Sequence, residues 1–186
     1  MSTENYEVFT KENLNIYFNE LSKRDLPKRR DYIGTLSWLR AVRDCIGQPV
    51  VFALDEALMC QGNFGGRSDE YLVWVYGADN AAQFNGVVVL GNQIGPEDVQ
   101  HKNGLSFTSF NRTLSDALAN ESILDMQGIT EAVSRYYYAH GDSFEGIFVV
   151  PRYQKRFEEL AAEALAYYTD DTPLNPEICD INPPAF

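Results

Sequence analysis

Cysteine is scarce in this chain of 186 residues, and basic residues are missing from its C-terminal end. The three cysteines stand far apart and form no Cys-x-x-Cys pair, so the sequence predicts neither a disulfide framework nor a zinc site. No basic residue follows Arg156, whereas seven acidic residues do. Charge repulsion therefore disfavours nucleic-acid binding by the C-terminal part of the chain.

The sequence also lacks the segments that direct a protein to or across a membrane. No apolar run approaches the roughly 18 residues that a membrane-spanning helix requires. The first seven residues are polar and acidic, unlike a secretory signal peptide. We therefore expect a cytoplasmic protein without membrane contacts.

The formal net charge of −12 is unevenly distributed. Residues 1–46 hold eight basic and seven acidic side chains, so the remainder of the chain carries −13. Such an acidic body is typical of a soluble protein, but it also suits a basic protein partner or the imitation of a phosphate backbone.

Any nucleic-acid contact would have to come from the N-terminal third, where basic side chains are concentrated. The candidates for contacts with phosphates are Lys28, Arg29, Arg30, Arg40 and Arg43. Alternatively, Lys28, Arg29 and Arg30 lie on a solvated connection between two helices, beside Arg40 and Arg43 on the second helix, and pair with neighbouring acids, namely Glu20, Asp25, Asp31 and Asp44.

With 45% hydrophobic and 13% aromatic residues, the chain can bury a substantial core. We predict an α+β fold in which a small mixed sheet of short strands packs with several helices. A helical, locally basic element is expected over residues 1–48, the α+β domain over 49–168, and a Pro-rich acidic tail over 169–186.

Apolar periodicity predicts an N-terminal pair of helices. The first begins at an N-cap, Thr10, and has an apolar face of Leu14, Tyr17, Phe18 and Leu21. The second covers residues 31–46 and ends at Gly47. Its predicted apolar stripe consists of Tyr32, Leu36, Leu39 and Val42.

Further strands and helices follow from the same patterns. Strands are predicted at 50–54, 71–76, 87–90, 105–107 and 147–150, and residues 94–99 as a turn followed by a short strand or helical turn. We expect Asp55 to cap a short helix over 56–60 that ends near Gly62. Longer helices are predicted at 109–119, 126–140 and 152–168.

The best-organised motif is the junction between a strand and a helix at residues 105–118. Thr108 or Ser109 can cap the helix by accepting backbone N–H groups that lack an intrahelical partner. Arg112 and Asp116 stand four residues apart, so they share a helix face and can form an ion pair. A catalytic Asp116 would need a second carboxylate or a metal set nearby, so we interpret this motif as structural.

This motif closes an ordered series of weaker signals at 52–58, 71–76, 85–90 and 94–99. Together they resemble the AbiEi family, which comprises antitoxins of abortive-infection toxin–antitoxin systems and related transcriptional regulators. The most specific part of the resemblance has the form Gly-apolar-x-apolar-Thr-Ser-x-x-Arg-Thr-Leu-x-Asp. Seven residues fit it, namely Gly104, Thr108, Ser109, Arg112, Thr113, Leu114 and Asp116.

The resemblance implies a non-enzymatic cytoplasmic regulator. In the family, an N-terminal winged helix-turn-helix binds the operator, while the C-terminal domain neutralises a nucleotidyltransferase-like toxin. A winged helix takes about three helices and a β-wing, roughly 60–70 residues. Residues 10–46 offer two helices and no hairpin, so the operator-reading part is reduced or absent here.

Two other functions remain open from the sequence. The charge of −13 beyond residue 46 also suits an acidic inhibitor from a mobile element, which would bind a basic nuclease or DNA-binding protein. An enzyme would require several carboxyl or imidazole groups to meet in one cleft, drawn from Asp55, Glu56, Asp69, Asp116 and His140. We predict no catalytic, cofactor-binding or metal-ligating residue, and expect the tyrosines at 136–138 to pack or to form a protein interface.

Overall fold

The computed structural model describes residues 8–10, 23–63, 72–77, 79–91 and 94–167. The helix predicted after Thr10, most of the Gly-rich loop at 63–68 and the Pro-rich tail lie outside the described residues. Cys179 and Asp69 lie outside them as well.

Five short strands form one mixed sheet, which confirms the predicted α+β class. They are β1 (Val51–Phe52), β2 (Val73–Tyr76), β3 (Val87–Leu90), β4 (Val99–Lys102) and β5 (Leu105–Thr108). Their order across the sheet is β3-β2-β1-β5-β4. The central strand β1 runs parallel to β5 and antiparallel to β2, while β2–β3 is parallel and β4–β5 antiparallel.

The described α-helices are α1 (Thr35–Ile46), α2 (Leu54–Gln61), α3 (Phe110–Ala119), α4 (Met126–Ala139) and α5 (Gln154–Tyr167). Each of these five helices ends within one residue of its predicted end, and α1 stops where Gly47 adopts φ +71°. Within the described residues, none of these helices has both the length and the apolarity needed to cross a bilayer.

Three helix starts differ from the sequence prediction by two residues or more. One is that of α5, which begins at Gln154 after a 3-10 turn at Pro151–Tyr153. Helix α1 begins at Thr35 rather than at residue 31. Gly34, with φ +81°, separates this helix from a 3-10 turn at Arg29–Asp31. Tyr32 therefore lies outside the apolar stripe of α1 and is exposed. Helix α2 begins one residue before Asp55, so Asp55 lies in its first turn and is not its cap.

Side chains of the sheet pack into two hydrophobic cores, one on each face of the sheet. Along β2, Val73 and Val75 pack on the face covered by α1, whereas Trp74 and Tyr76 pack on the face covered by α3, α4 and α5. This alternation follows from the two-residue period of a strand. Helix α2 contributes to both cores, with Leu58 in one and Cys60 in the other.

The hairpin formed by β4 and β5 was not predicted in full. Residues 96–98 form the expected helical turn, but β4 continues to Lys102 and is largely exposed, so it lacks hydrophobic alternation. The two strands meet at Asn103 (φ +54°) and Gly104 (φ +75°). Asn-Gly is the strongest short-range signal of a two-residue hairpin turn, and it was present in the sequence.

The strand predicted at 147–150 is wrong. These residues have no regular secondary structure, and within the described chain they pair with no strand. The side-chain amide of Asn111 on α3 holds this segment instead. Its Nδ2 donates to the carbonyl of Gly146 (3.0 Å) and its Oδ1 accepts from the backbone N–H of Phe148 (3.1 Å).

Candidate functional site

The Thr108–Asp116 motif lies where β5 enters α3, in the interior of the protein. Ser109 caps the helix, because its Oγ accepts from the backbone N–H of Arg112 (3.3 Å). The hydroxyls of Thr108 and Thr113 share a hydrogen bond of 2.7 Å. Gln61, at the end of α2, donates to the carbonyl of Thr108 (2.8 Å). The junction therefore joins β5, α3 and α2.

The predicted Arg112–Asp116 ion pair is confirmed, and it is buried. Arg112 Nε lies 3.2 Å from both carboxylate oxygens of Asp116, and each of the two side chains is only 5% exposed. Tyr76 on β2 completes a triangle, which we call the Tyr–Arg–Asp cluster. Its hydroxyl donates to Asp116 Oδ2 (2.9 Å) and accepts from Arg112 Nη2 (2.8 Å).

A second carboxylate, Asp98, lies at the edge of this cluster. Its Oδ2 is 3.5 Å from Arg112 Nη1, and its backbone carbonyl accepts from the N–H of Ser109 (2.7 Å). Burial raises the pKa of Asp116 to about 6, while Arg112 acts in the opposite direction. Burial and the neighbouring Asp116 also raise the pKa of Tyr76. The arrangement holds these groups to one another, as expected for a structural role.

A buried acidic pair, Asp55 and Glu56, lies in the first turn of α2. Glu56 Oε2 accepts from the backbone N–H of Trp74 (3.2 Å), whereas Asp55 Oδ1 has no hydrogen-bond partner among the described residues. Burial and Asp125 raise the pKa of Asp55 to about 6, and burial raises that of Glu56 well above its usual range. The sequence predicted Asp55 as a helix cap and gave no indication that it is buried.

Of the residues named as a possible catalytic set, Asp55 and Glu56 lie together, Asp116 and His140 have other surroundings, and Asp69 lies outside the described residues. Asp116 contacts Arg112 and Tyr76. Asp125 contributes to the raised pKa of Asp55. The ring of His140 stacks on the ring of Tyr136, with 3.8 Å between the ring centroids. Among the described residues, no three His, Cys, Asp or Glu side chains are grouped so that they could hold a metal ion.

The five basic candidates for nucleic-acid contact divide into two groups. Arg40 Nε donates to the carbonyl of Asn103 (3.0 Å), and Arg43 Nη1 donates to the carbonyl of Gly104. These two arginines thus fasten the β4–β5 turn to α1, and Arg43 also pairs with Asp44 (2.6 Å). The contacts lie about sixty residues apart in sequence, so no local pattern signalled them.

Lys28, Arg29 and Arg30 instead line a surface cleft of about 480 Å³, which we call the basic cleft. Its remaining lining consists of Asp25, Leu26, Pro27, Trp38 and Asn85. Arg29 is held above the ring of Trp38, 5.8 Å from its centroid, and donates to Thr35 Oγ1 (3.0 Å). The sequence indicated the cations here but not the cavity.

Tyr136 and Tyr137 pack at the end of α4, as predicted, whereas Tyr138 is exposed. The ring of Tyr136 stacks between those of Phe110 (4.8 Å) and His140 (3.8 Å), and its hydroxyl donates to the carbonyl of Glu145 (3.0 Å). Tyr137 packs against Phe144 (4.7 Å). Both tyrosines are half-buried, which fits packing better than base stacking.

These features define an α+β protein with a closed polar cluster inside and a basic cleft on its surface. No family model matches the chain, and neither a curated protein nor a solved structure shows a significant match to it. The likeness to AbiEi antitoxins therefore rests on the sequence motifs alone.

Proposed function

We propose that this protein acts by binding a partner protein rather than by catalysis, as an antitoxin-like regulator that neutralises or controls a toxin. The observation that supports this is the closed Tyr–Arg–Asp cluster. The motif residues Arg112 and Asp116 bind each other and Tyr76 inside the protein, and Ser109 caps α3. Because these motif residues stabilise the fold, we expect residues on the surface to recognise the partner protein.

The charge of the surface favours a basic partner. Residues 47–186 carry −13, and α5 exposes Glu158, Glu159 and Glu163. Arg156 lies among these acids, at 3.1 Å from Glu163 and 2.7 Å from Glu121, and so holds part of the face in place. Complementary charge accelerates association and selects partners. The resemblance suggests a nucleotidyltransferase-like toxin as this partner.

Co-expression with a toxin encoded beside this gene tests the proposal. We expect the wild-type protein to relieve the growth arrest and to copurify with the toxin. The variant Glu158→Gln/Glu163→Gln should weaken copurification, because it removes two exposed charges from α5. The matched control Glu97→Gln/Glu145→Gln removes two exposed charges elsewhere and should bind normally. A toxin that neither binds the wild type nor is neutralised by it would contradict the proposal.

Transcriptional autoregulation is a separate part of the proposal. A gel shift of the protein against its own promoter tests it, with Arg29→Ala/Arg30→Ala as the comparison. A shift that these substitutions abolish would support DNA contact through residues 28–30. An unshifted promoter, both with and without the toxin partner, would remove autoregulation and leave toxin binding as the function.

The charge distribution also favours a second candidate, an acidic inhibitor that occupies the nucleic-acid site of a basic nuclease or DNA-binding protein. Such a complex should weaken steeply as salt concentration rises, since its contacts would be mainly ionic. DNA should also displace the inhibitor from its target. An antitoxin complex that persists in high salt and in excess DNA would favour the first proposal.

A further inference from the structure

The basic cleft differs from a surface that follows a nucleic-acid backbone. Of the five cations predicted for phosphate contacts, Arg40 and Arg43 bind backbone carbonyls of the β4–β5 turn. Only the consecutive residues Lys28, Arg29 and Arg30 line the cleft. The positive charge is therefore concentrated at one concave place, which suits a compact anion better than an extended duplex.

The dimensions and lining of the cleft fit a small organic ligand. Pockets for such ligands usually measure about 300–1,000 Å³ and combine apolar walls with a few charged groups. The basic cleft holds about 480 Å³, and its apolar wall consists of Leu26, Pro27 and Trp38. A ligand with one anionic group and an apolar or aromatic body would match both parts of this lining.

The cations are arranged so that they can meet an anion from solution. Arg29 is held by Thr35 and by the ring of Trp38, so its position is set before a ligand arrives. Arg30 is 78% exposed and lies 3.9 Å from Asp31. Among the described residues that line the cleft, Asp25 is the carboxylate, and it accepts a hydrogen bond from Asn85 Nδ2 (2.9 Å). The described lining thus contains three cations and one carboxylate that is already hydrogen-bonded.

We infer that the basic cleft binds a small phosphate ester with an apolar or aromatic body, of the size of a nucleoside monophosphate. The guanidinium groups of Arg29 and Arg30 and the ammonium group of Lys28 would hold the phosphate, since arginine matches phosphate oxygens in a two-pronged geometry. Leu26, Pro27 and Trp38 would contact the remainder of the ligand. This ligand is independent of any protein partner.

Calorimetric titration of the full chain with AMP, GMP and inorganic phosphate tests the inference. We expect at least one nucleotide to bind at least about ten-fold more tightly than inorganic phosphate, because the apolar wall adds to the ionic contacts. Binding should change tryptophan emission, since Trp38 lines the cleft and Trp74, the other tryptophan, is not among the lining residues; both rings are largely buried. The nucleotide should also raise the melting temperature.

The variant Lys28→Ala/Arg30→Ala locates the site, because both side chains are exposed and their removal leaves the fold intact. It should weaken nucleotide binding at least about ten-fold, as expected for lost hydrogen bonds to a charged group. The matched control Lys102→Ala/Lys155→Ala removes two exposed cations outside the cleft and should bind as the wild type does.

Three results would overturn the inference. The first is the absence of nucleotide binding at millimolar concentration by calorimetry and by melting temperature. The second is nucleotide binding that both double variants weaken equally, which would show only general charge attraction. The third is preferential binding of duplex DNA that Arg40→Ala/Arg43→Ala weakens more than Lys28→Ala/Arg30→Ala, which would identify a nucleic-acid surface.

Discussion

Two buried groups of charged side chains in the described residues, the Tyr–Arg–Asp cluster and the acidic pair of α2, have opposite arrangements. Burial raises the pKa of both Asp116 and Asp55 to about 6, so the pKa alone does not distinguish them. Their partners do. Asp116 is bonded to a guanidinium and a phenol, whereas Asp55 Oδ1 has no hydrogen-bond partner in the described chain and lies beside another acid.

This difference predicts opposite effects of neutralising each group. Removing one member of a buried ion pair strands the other charge, which costs far more than the intact pair contributes. Removing an unpaired buried carboxylate eliminates a desolvation penalty instead. The closed cluster is therefore expected to specify how α3 meets the sheet, while the acidic pair makes the start of α2 less stable at neutral pH.

Arg112→Ala should have the largest effect. It leaves the carboxylate of Asp116 buried without its cation and removes a donor to Tyr76, so we expect a loss of about 3–5 kcal/mol in the free energy of unfolding. Urea denaturation measures this loss, and Lys155→Ala on the exposed face of α5 is the control. A loss below about 1 kcal/mol would remove the distinction between the two regions.

Asp55→Asn should act in the opposite direction and stabilise the protein at pH 7. A carboxyl whose pKa rises from 3.8 unfolded to about 6 folded binds more protons in the native state between those values. Its contribution is therefore fully present below about pH 4 and lost as pH rises through about 6, a loss of about 2–3 kcal/mol. Asp55→Asn should raise the free energy of unfolding by about 1–3 kcal/mol at pH 7. A polar atom of the buried amide that lacks a hydrogen bond would reduce this gain.

The measurement is the free energy of unfolding between pH 4 and pH 7.5. The wild type should lose stability as pH rises through this window, and Asp55→Asn should show a shallower decline. Asp116 and Glu56 maintain the remaining slope, because burial raises their pKa values too. Parallel pH profiles for wild type and variant would show that Asp55 does not titrate as its surroundings imply.

The same two regions show which contacts can be predicted from local sequence patterns and which cannot. The Ser109 cap and the Arg112–Asp116 pair involve residues three and four apart, so helix geometry alone predicted them. Tyr76 joins that pair from a strand 36 residues before Arg112. Such a contact depends on the order of strands in the sheet, which neither propensity nor spacing encodes.

Burial of charge was equally beyond local patterns. Asp55 begins a helix in sequence and therefore resembles a cap, but the helix begins at Leu54, which has φ +48°, and Asp55 is buried in its first turn. The edge strand β4 is exposed and lacks alternation, so it was recognisable only from the Asn103–Gly104 turn. The residues at 147–150 form a continuous apolar run, yet the side-chain amide of Asn111 bonds this segment in place of a neighbouring strand.

Tyr76→Phe should have the smallest effect of the three and tests whether the cluster acts as a unit. The substitution keeps the ring in the core but removes one hydrogen bond to Asp116 and one from Arg112, so we expect a loss of about 1–2 kcal/mol. Because the phenol lowers the pKa of Asp116, that pKa should rise, as NMR titration of the carboxyl would show. A double-mutant cycle of Tyr76→Phe with Asp116→Asn should give a coupling free energy of about 0.5–3 kcal/mol. If the two losses simply add, the three side chains are independent neighbours, and the contrast with the acidic pair reduces to the Arg112–Asp116 ion pair.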